Sequence, residues 1–396
     1  MRIDLIKYLL CGAKRHGMEV PMNNSKGKLR NSNIEILRII SIVLIMAHHY
    51  VIHGFNGASS PNLINQSLLG FLSIGGKLGV TCFILISGYY MLYSTFTLKK
   101  FIKILAEVWF YSVAIGLLCF LIFNISDFKV FIKIFIPIGS SEYWFVTNYL
   151  ILMIFSPILN LIIKNIERIF LKKIILIAVI FWSILPTFFG ITYAFDELLW
   201  FVILYLIAGY IRRYSNINKN NANKHFIVSF ISYSIIIIFN IIFILLGNFL
   251  ESNTILNYST HLSILNSPFV LLTAVELFSG FIRLKVINIK LINIISSTTL
   301  GIYLIHDNYL LRTFIWENIF KCNEIYNSNY LIVHFLISIL LLFFVCFFID
   351  LIRQITVEKL FFNFIETKGI KIKQWTNKLN IINIERINKF IKNYNE

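Results

Sequence analysis

The sequence predicts an all-α fold, a polytopic bundle of about ten transmembrane helices with both termini in the cytoplasm. Composition, the spacing of apolar runs and the placement of basic residues each support this prediction. Of the 396 residues, 58% are hydrophobic and 14% are charged, and the mean hydropathy is +0.76. Soluble domains are closer to about 45–50% apolar and about 25% charged. The chain is therefore expected to fold in an apolar environment.

Ten apolar runs approach the length of about 20 residues that a helix needs to cross a bilayer. They lie at 34–54, 68–93, 102–123, 143–163, 172–190, 198–212, 226–249, 267–283, 291–312 and 331–352. Because the number is even, both termini should lie on one side.

The basic residues indicate which side that is. If the N-terminus is inside, the inner segments carry 30 of the 36 Lys and Arg residues and the outer segments carry four, the other two being Arg38 and Lys77. Cytoplasmic loops of membrane proteins retain the excess of Lys and Arg. The split predicts an N-in, C-in protein.

Three regions are expected along the chain. Residues 1–33 form a polar, basic lead-in, 34–353 the ten-span domain, and 354–396 a basic tail. A tail helix lying on anionic lipid explains the basic residues from Ile370 onward better than nucleic-acid binding does. We therefore predict membrane lipid as a partner and no nucleic acid.

The cysteines predict neither a disulfide framework nor a metal site. Their spacing shows no CxxC or mixed Cys/His pattern. They are Cys11, Cys82, Cys119, Cys322 and Cys346.

The first apolar run contains the most informative ionisable residues, Arg38 and His49. At 100° per residue, the eleven-residue step between them is three turns plus about 20°, so both project from one helix face. They are roughly 16 Å apart along the axis. His48 lies about 80° to the other side of Arg38. The same spacing would also fit a snorkelling arginine and an interfacial histidine.

Other polar residues in the apolar runs are weaker candidates. His306 should reach a depth similar to that of His49 and is a second catalytic candidate. An ion pair or an aromatic interfacial belt explains several of the rest without function. The residues that either contact substrate or are structural are Glu35, Lys77, Ser87, Glu142, Trp144 and Glu276.

Several segments together resemble the acyltransferase-3 family of bacterial membrane proteins. Arg38 and His49 match the family's basic residue, ten intervening residues and histidine. The stretch GKLGVTCFILISGYYM, with Gly79 and Ser87, resembles its second helix. Further matches are YWFVTNYLILMIFSPILN, FVILYLIAGYIRRY and GIYLIH, in order. Where many members carry an Arg-x-x-Arg pair, this chain has LKKFIKILAEVWF.

The resemblance implies transfer of an acetyl or other acyl group from cytoplasmic acyl-CoA to a hydroxyl of a surface polysaccharide or its lipid-linked precursor. We hypothesise that His49 acts as a general base or as a transient acyl carrier, with His306 assisting. Acetyl-CoA would be a donor substrate rather than a resident cofactor. The cationic residues expected to hold its phosphates are Arg38, Lys99, Lys100 and Lys103.

Two other classes of protein remain open. A lipid-linked oligosaccharide flippase usually shows duplicated halves and helices broken near mid-membrane. A glycan polymerase would be expected to carry a long outer loop with paired acids. Neither pattern is evident in the sequence, and we expect an O-acyltransferase.

Overall fold

The computed structural model describes residues 30–55, 62–123, 127–140, 142–191, 196–215 and 221–367. Over these residues the protein is helical and contains no strand, which confirms the predicted all-α fold. The lead-in up to residue 29, Cys11 and the predicted surface helix beyond Ile370 lie outside the described residues.

The described helices fall into long and short elements. The long ones are α1 (Ser32–Gly54), α2 (Leu63–Met91), α3 (Leu98–Phe123), α5 (Trp144–Asn165), α6 (Arg168–Val179), α8 (Glu197–Tyr214), α9 (Ala222–Phe249), α11 (Pro268–Arg283) and α15 (Leu331–Arg353). The short ones are α4 (Phe128–Phe135), α7 (Leu185–Phe189), α10 (Asn253–Tyr258), α12 (Lys290–Ser297), α13 (Thr299–His306), α14 (Cys322–Ile325) and α16 (Lys359–Thr367). π-helical turns at Ile180–Ile184 and Gln354–Glu358 join α6 to α7 and α15 to α16.

Eight helical segments of the described chain are long and apolar enough to cross a membrane, and each overlaps a predicted span. The predicted span 198–212 corresponds to α8, which is not among these eight segments. This helix begins at Glu197, ends at Tyr214 and carries Arg212 and Arg213 in its last turn. The count of ten spans and the N-in, C-in orientation stay predictions.

The predicted span 291–312 is not one continuous helix. It consists of α12 and α13, which meet at Thr298, and α13 ends at His306. The cause is a run of hydroxyl side chains that bond back to the main chain, an alternative to the helical ladder. The hydroxyl of Thr298 donates to the Ile295 carbonyl at 2.7 Å, and that of Thr299 to the Ser296 carbonyl at 2.9 Å. Asp307 consequently follows a helix end inside the bundle.

Helices α1 and α2 pack closely because α2 presents glycines to α1. A Cβ atom at Gly79 would lie 2.5 Å from the backbone oxygen of Ser41. One at Gly76 would lie 2.5 Å from the side chain of His48. Small residues at such contacts let membrane helices approach each other. The two glycines thus set the distance between α2 and the histidines of α1.

Contacts at both ends fix the short helix α13. At its C-terminal end, the Tyr143 hydroxyl donates to the Leu304 carbonyl at 3.0 Å and accepts from the Asn308 amide at 2.7 Å. Near its N-terminal end, Gly301 packs directly on the Asp350 side chain of α15. Since α13 carries His306, these contacts also position that histidine.

A buried charge network joins α3 to α15. Arg353 pairs with Asp350 at 2.7 Å and with Glu107 at 3.1 Å, while the Tyr111 hydroxyl donates to Asp350 at 2.8 Å. All three charged side chains are buried. Charges away from water persist only when paired, so the network ties the last long helix to the core.

Candidate active site

A cavity of about 300 Å³ lies between α1, α2, α3, α5 and α13. Apolar side chains form much of its wall, among them Ile42, Ile45, Val80, Phe83 and Phe145. Its polar lining residues are Arg38, His48, His49, His53, Lys77, Ser87, Trp144, Tyr149, Thr299, Tyr303, Asp307 and Arg312. A mainly apolar cavity with a few converging polar groups is the usual form of a small-molecule site.

Arg38 and His49 both line this cavity, as their shared helix face predicts. Arg38 is held by Glu35 one turn earlier, with Nη1 3.3 Å from Oε2. The same carboxylate binds Arg30 at 2.7 Å and accepts a hydrogen bond from the Ser296 hydroxyl. Glu35 is buried and does not line the cavity. Its contacts are those of a residue that orients Arg38.

His49 lies directly against His306, the second predicted histidine. Nδ1 of His49 is 3.0 Å from Nε2 of His306, and Nδ1 of His306 is 2.6 Å from the Ile302 carbonyl oxygen. His306 is fully buried and lies behind His49 rather than on the cavity wall. The structure thus brings both predicted histidines together across α1 and α13.

Asp307 adds a carboxylate to this pair. Its Oδ1 lies 3.6 Å from Nδ1 of His49, 3.5 Å from Nε2 of His53 and 3.6 Å from Nη1 of Arg312. The residue is 4% exposed, and Oδ1 makes no hydrogen bond. A buried carboxylate among three imidazole and guanidinium groups stabilises positive charge on them.

Three of these residues could also hold a metal ion. Ligand atoms of His49, His53 and Asp307 lie within 4.8 Å of one another. Imidazole and carboxylate ligands of this kind suit zinc and related divalent ions. The prediction of no metal site rests on the cysteine spacing alone. His49 and His53 lie four residues apart on α1, and two helical histidines with this spacing can bind one ion.

Two of the three predicted phosphate-binding lysines line an adjoining cavity of about 350 Å³. Lys100 and Lys103 line it, and it shares Ile104 and Tyr149 with the histidine-containing cavity. Lys103 Nζ is 2.5 Å from a carboxylate oxygen of Glu358. Lys99 lies over the ring of Phe362, 5.4 Å from its centroid. The two cavities meet at Ile104 and Tyr149.

The remaining predicted residues divide into two groups. Lys77, Ser87 and Trp144 line the main cavity, and the Lys77 ammonium lies 5.2 Å from the centroid of the Trp144 ring. Glu142 instead pairs with Lys133 at 2.9 Å, and Glu276 with His225 at 2.6 Å. Neither carboxylate lines either cavity.

Seven polar residues that line the site were not singled out from the sequence as functional candidates: His48, His53, Tyr149, Thr299, Tyr303, Asp307 and Arg312. His53 follows His49 by four residues, so helical spacing alone could have indicated it. His48 lines the cavity and donates a hydrogen bond from Nδ1 to the Ser73 carbonyl at 2.8 Å. Asp307 and Arg312 gave no such signal, because their placement depends on the helix end at His306.

Cys322, a cysteine of the described chain, does not compete with the histidines as a nucleophile. Cys322, which lies between the long helices, is buried, and burial raises the pKa of its thiol to about 12. A thiol of this kind is a poor nucleophile near neutral pH.

Comparison with known proteins adds one match. The model of a family described as an acyltransferase domain matches residues 31–351. No curated protein and no solved structure matches the chain. The matched range contains α1 to α14 and nearly all of α15, and with them every residue of the histidine-containing cavity.

Proposed function

Because the chain belongs to the acyltransferase-3 family, we propose that this acyltransferase moves an acetyl group from cytoplasmic acetyl-CoA to a hydroxyl of a surface polysaccharide or its lipid-linked precursor. The protein is a multi-pass membrane protein, and we place it in a bacterial cytoplasmic membrane. The observation that carries the proposal is the His49–His306 pair, 3.0 Å apart, beside a cavity that also contains Arg38.

The donor is proposed to enter through the lysine-lined cavity. Its phosphates would bind Lys100 and Lys103 there, with Arg38 as a further cation beyond the shared wall. Charge-assisted contacts from Lys and Arg are the usual means of phosphate recognition. The pantetheine arm would then pass Ile104 and Tyr149 and place the thioester near His49.

His49 is proposed to act as the general base. Its imidazole removes the proton from the acceptor hydroxyl while the oxygen attacks the thioester carbonyl. The carbon–sulfur bond then breaks, and the leaving thiolate takes the proton from the imidazolium. The products are an ester and the free thiol of CoA. The apolar wall of the cavity limits competing hydrolysis because it excludes water.

The experiment compares strains that carry the wild-type protein, His49→Ala or no protein, by mass spectrometry of the surface glycan. We expect the acetyl mass to be lost in the last two, with the glycan otherwise intact. Loss of the whole glycan would indicate a flippase or polymerase instead. If the His49→Ala protein is present in the membrane at the wild-type level and acetylation is retained, His49 is not the general base.

A matched histidine variant serves as the control. His261 bonds to the Thr187 carbonyl at 2.8 Å and lies outside both cavities. His261→Gln should keep wild-type acetylation.

A further inference from the structure

The hydrogen bonds of the His49–His306 pair determine which ring nitrogen can act as the base. A neutral imidazole has one nitrogen that donates a hydrogen bond and one that accepts, and the partner of one nitrogen determines the role of the other. The chain of contacts runs from the Ile302 carbonyl through His306 to His49.

The Ile302 carbonyl determines which atom donates in each of these hydrogen bonds. The Ile302 oxygen only accepts hydrogen bonds, so Nδ1 of His306, 2.6 Å away, carries a proton and donates it. His306 is fully buried, and burial favours the neutral ring over the imidazolium. Nε2 of His306 is therefore an acceptor.

The acceptor role of His306 Nε2 in turn determines the tautomer of His49. Its Nδ1, 3.0 Å from that acceptor, must carry a proton. The other ring nitrogen, Nε2, is then left with the lone pair. A tautomer with the proton on Nε2 would place two lone pairs against each other between the rings.

Asp307 completes the arrangement by charge. At rest its carboxylate faces Arg312, which is permanently protonated, as well as His53. When Nε2 of His49 takes a proton, the new imidazolium has a carboxylate oxygen 3.6 Å from its Nδ1. Serine proteases use a buried carboxylate in a comparable way to orient a histidine and stabilise its charged form.

We propose that His306 is a positioning residue that holds the proton of His49 on Nδ1, making Nε2 the atom that deprotonates the acceptor, with Asp307 as the countercharge. This inference rests on the proposed function for the role of Nε2. The proton moves from the acceptor oxygen to Nε2 and then to the leaving thiolate, while the Nδ1 proton stays in place.

The proposal is tested first without turnover. Protein with ¹⁵N-labelled histidine is reconstituted in lipid bilayers, and solid-state NMR reports which nitrogen of each ring is protonated. The His49 signals are assigned from the spectrum of His49→Gln. We expect His49 with a protonated Nδ1 and a bare Nε2 in the wild type, and a mixture of tautomers in His306→Ala. A wild-type His49 protonated on Nε2 overturns the proposal.

Kinetics separate positioning from folding. His306→Ala should lower kcat, by up to the about 10²–10⁴-fold that general-base catalysis contributes, and leave the KM for acyl-CoA unchanged. His306→Gln can offer an amide oxygen near the place of Nε2 and should restore part of kcat. Equal kcat values for the two variants, or a wild-type kcat in His306→Ala, would refute the role of His306.

The two levels of proposal can fail separately. Activity of His49→Ala would remove the proposed function, whatever the NMR spectrum shows. The wrong tautomer in an active wild-type enzyme would remove only the positioning role. Asp307→Asn should lower kcat while leaving the tautomer of His49 unchanged, and a wild-type kcat would remove Asp307 from the proposal.

Discussion

Replacing Glu358 by glutamine is expected to strengthen binding of the acyl-CoA donor. Glu358 holds Lys103 at 2.5 Å, and Lys103 lines the cavity proposed for the donor phosphates. A phosphate that binds this lysine must therefore compete with the carboxylate. Glutamine removes the competing charge and keeps the size of the side chain.

The magnitude follows from the exposure of the pair. The Lys103 side chain is 49% exposed and that of Glu358 16%, so solvent screens the interaction and the range for surface pairs, about 0.2–1 kcal/mol, applies. That range corresponds to a decrease of about 1.4- to 5-fold in the KM for acyl-CoA. The kcat should stay unchanged, because Glu358 does not line the cavity that contains His49. Glu358 also pairs with Arg353 at 3.1 Å. In the variant this arginine still has its ion pair with Asp350, at 2.7 Å.

The assay measures initial rates of acetyl transfer against acyl-CoA concentration in reconstituted membranes at two salt concentrations. The difference between variant and wild type should shrink at high salt, where exposed charges are screened. Glu324→Gln is the matched control, because Glu324 pairs with Lys321 at 3.3 Å on an exposed surface away from both cavities. An unchanged or increased KM in Glu358→Gln would show that Lys103 does not contact the donor.

Two further predictions concern the packing that supports the site. Gly79→Ala should destabilise the protein by about 1–3 kcal/mol, because its Cβ would meet the backbone of α1 at 2.5 Å; thermal unfolding in detergent measures this, and an unchanged Tm would contradict the close approach. Arg353→Met should cost about 3–5 kcal/mol, because it leaves the buried carboxylates of Glu107 and Asp350 without their cation. A Tm within error of the wild type would mean that the network contributes little.

The sequence predicts the long helices well because their signal is local. A run of about 20 apolar residues identifies a span wherever it packs, and the helical repeat places Arg38 and His49 on one face. The depth of His306 in its apolar run, similar to that of His49, predicts the second histidine as well, and the match of GIYLIH to the family agrees with it.

The rest of the site depends on contacts that periodicity does not contain. The break at Thr298 results from hydroxyl groups competing with the helical ladder, and an apolar run gives no sign of it. Asp307 meets His49 only because α13 ends at His306 and packs on α1. The partner of Glu276 proved to be His225 on another helix, a pairing that no spacing along the chain predicts.

The buried network of Arg353, Asp350 and Glu107 has a consequence for biogenesis. Asp350 and Arg353 lie one turn apart on α15 and pair with each other, so this helix can enter the membrane with its charges already neutralised. Glu107 is synthesised much earlier, on α3, and its cation arrives only with α15. Until then Lys103, one turn earlier on α3, is the cation that acts on this acid. The acid of α3 therefore gains its buried arginine partner only when the last long helix has packed against it.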